Sequence, residues 1–175
     1  LHNAAFGSGF MTPLVQRVRA AESLSYGIGS SLTADRERSL FLVQAQPEGP
    51  KAAYTASVIL QTWKAFVGKP IDEAYLEQVK QYYIGSTLIR YETVRHRMAA
   101  ALHLASLGLP VSDLWQHPQR VAELDAAQVQ AAAEAYGPNG QEFAIVCALP
   151  KGSADPGWDR EFPGATRQAI RRDLL

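Results

Sequence analysis

Between Pro47 and Pro50 the spacing of apolar side chains changes, and this change limits the fold more than any other feature of the chain. Before it, Leu24, Tyr26, Ile28, Ser30 and Leu32 alternate along one face at a period of two, and Arg38 to Gln46 carries the β-formers Phe41, Leu42 and Val43. The two runs predict an antiparallel hairpin turned at Ala34 to Glu37. After it, Ala52, Ala56, Ile59, Leu60, Trp63, Phe66 and Val67 recur at three- and four-residue spacing and stop at Gly68 and Pro70, as an amphipathic helix does.

Further helices follow. Asp72 can cap one that buries Leu76, Val79, Tyr83 and Leu88, with Gly85 as a weak point. Another spans Thr93 to Leu107 and ends at Gly108 and Pro110; Asp125 with Gln128 reads as a capping box for an alanine-rich helix to Tyr136, stopped by Gly137 and Pro138. Asn139-Gly140 then turns into a final strand, Glu142 to Leu149. At the front, Thr12 and Pro13 read as the N-cap and first residue of a helix to about Ala21, preceded by a segment rich in Gly and Ser. The order predicts an α+β fold in which an antiparallel sheet is packed on one face by about four helices. Residues 1–150 are expected to form one domain, and residues 151–175 an extended tail that wraps or frays, with a short helix from Thr166. Three strands make a thin sheet, so at least one more is expected ahead of Leu1.

Lys and Arg total 17, as do Asp and Glu, so the chain has no basic surplus to attract nucleic acid or anionic lipid, and no apolar run reaches the ~20 residues of a bilayer span. The lone Cys147, between Val146 and Ala148, excludes an internal disulfide and a cysteine-based zinc site and reads as a packed strand residue. It fits a bacterial cytoplasm or periplasm equally. No signal peptide is visible after Leu1.

Standard catalytic patterns fail. His2, His96, His103 and His117 form neither His-Glu-x-x-His nor His-x-x-Glu-His, and the nearest approach, Glu92 with His96 and His103, reads as a solvated helix face. Gly7-Ser8-Gly9 lacks the lysine of a phosphate loop and the setting of a serine nucleophile, and reads as a flexible turn. One pair stands out. Arg19 closes the first helix and Tyr26 opens the adjoining strand, which brings two donors suited to a peptide carbonyl or its oxyanion to one sheet edge. Spacing alone also allows a surface arginine and a core tyrosine.

The stretch Phe6-Gly-Ser-Gly-Phe10, Leu14, Arg19 and Leu24-Ser-Tyr26 resembles the second half-domain of pitrilysin/insulinase-family zinc peptidases, and the downstream order of hairpin, helices, Gly108-Leu-Pro110 turn and Asp-capped helix is similar to about Pro150. Ser23 stands where that family often has glycine, and the tail has no counterpart. The resemblance implies that this half lacks catalytic residues of its own, is inactive alone and holds no cofactor. Zinc and the His-x-x-Glu-His motif would lie in a partner half or subunit, while Arg19 and Tyr26 bind the peptide substrate near the scissile bond. A scaffolding subunit that has lost proteolysis and a module that binds extended peptides at a sheet edge are the alternatives.

Overall fold

The computed structural model describes residues 1–33, 35, 36, 39–136, 143–166 and 168, and of Leu88 its backbone alone. The turn at Ala34 to Glu37, the stop at Gly137 and Pro138, the Asn139-Gly140 turn and the helix from Thr166 lie wholly or partly outside these residues. The hairpin forms where the period of two predicts it: β1 (Ser25–Thr33) pairs antiparallel with β2 (Leu40–Pro47), Thr33 opposite Leu40 and Ser25 opposite Pro47. Ile28, Phe41 and Val43 pack toward the core while Leu42, Gln44 and Gln46 stay exposed, so helices cover one face of the sheet.

The helices are α1 (His2–Gly7), α2 (Pro13–Val15), α3 (Ala52–Val67), α4 (Glu73–Arg90), α5 (Val94–Ser106), α6 (Asp113–Glu123), α7 (Ala126–Tyr136) and α8 (Trp158–Glu161). α2 continues directly into a π-helical turn, Gln16–Ala21. The sequence signals act as expected at several ends. The Asp72 carboxylate accepts from the Tyr75 amide at 3.0 Å. Asp125 and Gln128 exchange side-chain and backbone bonds at 2.7 and 3.0 Å, which satisfies two orphan donors at the start of α7.

The core is aromatic. Phe6 stacks edge-on to Trp63 at 4.9 Å and lies 5.4 Å from Phe66, and Phe41 of β2 reaches Trp63 at 4.6 Å. Around them Leu14, Val18, Val58 and Leu76 are buried, and the Tyr75 hydroxyl donates to the Ala5 carbonyl at 2.8 Å, tying α4 to α1. α3 turns its face slightly from the predicted one, burying Thr55 and Val58 as well as Trp63 and Phe66.

Two features depart from the sequence reading. Residues 143–149 form no strand, so among the described residues the sheet has two strands and not three. They stand across a cavity of about 1060 Å³ from β2, and strand propensity without a neighbour to pair with does not make a strand. Cys147 is consequently exposed and not packed. α1 and α6 are additional helices: α1 is short, and α6 carries Pro118 inside it while still burying Leu114 and Val121. The tail packs back through α8 onto α3, with Pro156 buried and Asp155 accepting from the Gly157 amide at 2.8 Å.

Candidate functional site

Arg19 sits on the π-helical turn, whose wider winding is closed by the Glu22 amide donating to Arg17 at 3.2 Å and the Leu24 amide donating to Val18 at 2.9 Å. Such turns insert an extra residue and re-aim the side chains that follow. Val18 is fully buried and anchors the turn from inside. Arg17 is committed to Glu22 at 2.6 Å, and Glu22 also accepts from the Tyr54 hydroxyl of α3 at 2.9 Å, a bond that raises the phenol's pKa. Arg19 makes no hydrogen bond or ion pair among the described residues, and its guanidinium lies over aromatic rings.

Tyr26 would face the core with Ile28 and Ser30 if β1 were regular. It does not, because the register slips between Ser25 and Ile28, a bulge that sends Tyr26 outward. Its ring is 82% exposed. Ser25 secures the bulge: its hydroxyl donates to the Gly27 carbonyl at 2.8 Å and accepts from the Gln46 amide at 2.9 Å. Ser23, at φ 49°, makes the turn between helix and strand in the left-handed region, where glycine is at ease.

The two predicted residues therefore meet. The Arg19 guanidinium carbon lies 4.3 Å from the Tyr26 ring centre and 5.7 Å from that of Phe10, both within cation–π range. Phe10 and Met11 are largely exposed beside the pair, held by Gln16, whose amide nitrogen donates to the Phe10 carbonyl at 3.0 Å. A stacked guanidinium keeps its in-plane N–H donors for another group, and the phenol hydroxyl adds a further donor. The arrangement can hold a carbonyl oxygen or an oxyanion. Sequence reasoning missed the Glu22–Tyr54 clamp and the Phe10 shelf; the bulge has a signal in Ser25 and Gly27, a small polar residue and a glycine at a strand's start.

The other candidates scatter. Gly7 is no flexible turn: a Cβ there would lie 2.5 Å from Ser30 Oγ and 2.6 Å from Leu14, so glycine is required for α1 to approach β1. Glu92 precedes α5, while His96 and His103 lie exposed on it, and among the described residues no three His, Cys, Asp or Glu side chains converge as metal ligands do. His117 pairs with the Tyr83 hydroxyl at 3.2 Å, and burial pushes its pKa down. Desolvation pushes the Cys147 thiol up, away from the nucleophilic thiolate.

Comparison with known proteins matches residues 1–83 to the family model described as the peptidase M16 inactive domain. A non-peptidase homolog from Helicobacter pylori, YmxG, is 23% identical over 106 residues, covering 61% of this chain and 24% of that protein. Among solved structures, a peptidase M16 inactive domain from Pseudomonas fluorescens superposes with a TM-score of 0.67 at 24% identity, over 77% of this chain and 32% of the other. A presumed zinc protease from Bordetella pertussis Tohama I gives 0.65 at 17% identity, over 79% and 76%. The chain thus spans about a quarter of the first relative and a third of the second.

Proposed function

We propose that this chain, whose residues 1–83 match the peptidase M16 inactive-domain model, is the half of a zinc peptidase that grips the substrate while a His-x-x-Glu-His-bearing half or subunit performs hydrolysis. The observation that carries the reading is the stacked, exposed pair of Arg19 and Tyr26. In it Arg19 and Tyr26 donate to the carbonyl oxygen of the bound peptide and to the negative charge that develops on it. Among the described residues no three His, Cys, Asp or Glu side chains converge as zinc ligands do, and in this reading the zinc is the partner's, with this chain contributing only the grip on the substrate.

The test is turnover of a peptide substrate by the complex of this chain with its zinc-bearing partner. Replacing Arg19 by Ala or Tyr26 by Phe is expected to lower kcat by about 10²-fold, the size of a lost oxyanion donor. Thermal unfolding of this chain should stay in place, because both groups lie outside the core. Unchanged turnover in both variants would remove the role and favour a second reading, a scaffolding subunit without proteolysis, to which the likeness to a non-peptidase homolog points.

A further inference from the structure

The π-helical turn that carries Arg19 is held from outside as well as from inside. Arg17 and Glu22 lie five residues apart, a spacing that puts two side chains on different sides of an α-helix, where neighbours stand three or four apart. In π winding the hydrogen bond runs from residue i+5 back to residue i, and the Glu22 amide makes that bond to the Arg17 carbonyl at 3.2 Å. The two side chains then come level and join, Arg17 Nη2 to Glu22 Oε1 at 2.6 Å. Their ion pair therefore forms with the wide turn and is lost if the turn tightens into the α form.

The second carboxylate oxygen ties the turn to another element. Glu22 Oε2 accepts from the Tyr54 hydroxyl at 2.9 Å, and Tyr54 stands on α3, whose neighbouring Thr55 and Val58 are buried in the core. Within the turn, Gln16 bonds the Phe10 carbonyl and Val18 is buried, which leaves Arg19 to stack on Tyr26 and Phe10. No hydrogen bond among the described residues grips its guanidinium, so its direction depends on how residues 16–22 wind.

We infer that Arg17, Glu22 and Tyr54 are positioning residues, which together keep residues 16–22 in the π form that sets Arg19 over the Tyr26 ring. Their effect on turnover rests on the substrate-gripping role proposed for Arg19 and Tyr26; their hold on the stack does not. A largely exposed ion pair adds little to stability, so the three side chains serve the geometry of the turn more than the folding of the chain. Geometry matters here because a group displaced by about 1 Å from the reacting atoms loses much of its effect on rate.

The stack has a signature of its own without any partner, because the Tyr26 and Phe10 rings shift the Arg19 side-chain protons upfield in the NMR spectrum. Glu22→Gln and Tyr54→Phe should each reduce that upfield shift, and Glu22→Ala should remove about half of it or more. In the Glu22→Ala background Tyr54→Phe should change it no further, since the hydroxyl has already lost its acceptor. Thermal unfolding should stay close to that of the parent chain in every variant. In the complex with a zinc-bearing partner, Tyr54→Phe should lower kcat by about three- to ten-fold and leave KM nearly in place. An Arg19 shift as large in Glu22→Ala as in the parent overturns the positioning role, and so does a parental kcat in Tyr54→Phe where Arg19→Ala lowers it. If Arg19→Ala itself leaves turnover unchanged while the NMR shift falls as expected, the substrate-gripping reading fails and the hold on the stack stands.

Discussion

Ser23 holds φ at 49°, a conformation that costs a residue with a Cβ about 1–2 kcal/mol. The turn it makes directs the chain from the Arg19 helix into the Tyr26 strand, so the site's geometry depends on a residue that is strained where it stands. Ser23→Gly removes the strain but adds freedom to the unfolded chain, about 0.5–1 kcal/mol in the other direction. The net expectation is a gain of about 0.5–1 kcal/mol, read as a higher urea midpoint with an unchanged slope. A lower midpoint would show that Ser23 contributes something its backbone does not reveal. Arg19 can be tested at the same scale. Arg19→Lys keeps the charge but loses the planar fork that stacks on Tyr26, so under the proposed function, assayed with a zinc-bearing partner, it should restore little of the turnover lost in Arg19→Ala.

At the level of the element, the bulge in β1 decides whether a site exists. Without it Tyr26 would join Ile28 and Ser30 on the covered face, and Arg19 would lose its ring partner. Ser25→Ala leaves the Gln46 amide and the Gly27 carbonyl without their shared hydroxyl. The cost should be about 1–3 kcal/mol, with faster amide exchange at Gln46, while exchange in α7 stays as it was. This bulge also marks how far the sequence was legible. The hairpin, α3, α4, α5 and α7 announced themselves through period and caps, and Asp72 and the Asp125–Gln128 box act as read, because those signals are local. Arg19 and Tyr26 were legible as neighbours for the same reason, a helix end followed by a strand start. A period of two could not show that the strand slips by one residue, since the slip depends on pairing with β2. Residues 143–149 carry strand formers, but a strand needs a partner, and no local pattern contains one. α6 was hidden by Pro118, which reads as a breaker unless the burial of Leu114 and Val121 on either side is known.

At the scale of the whole molecule, the titratable group that bears on stability is His2, wedged among the core aromatics. His2 lies 4.9 Å from Phe66 and 5.5 Å from Trp63, where burial and, second to it, the positive charge of the Leu1 amine lower its pKa from 6.5 to about 4. The folded state therefore keeps His2 neutral in a range where the unfolded chain protonates it. Between about pH 6.5 and 4 the unfolded state binds more protons, so stability falls as pH falls through that window and is unaffected by His2 above it. Because the ring is only partly buried, the full shift overstates the effect, and a loss of about 1–2 kcal/mol across the window is expected after screening by solvent. His2→Phe keeps an aromatic ring against Trp63 and Phe66 without a titrating nitrogen. Thermal unfolding followed from pH 7.5 to 4.5 should show a steeper decline in the parent chain than in His2→Phe. Parallel curves would mean that His2 takes up its proton in the fold as readily as in the unfolded chain, and that the aromatic core which positions α1 under β1 tolerates a charge at its edge.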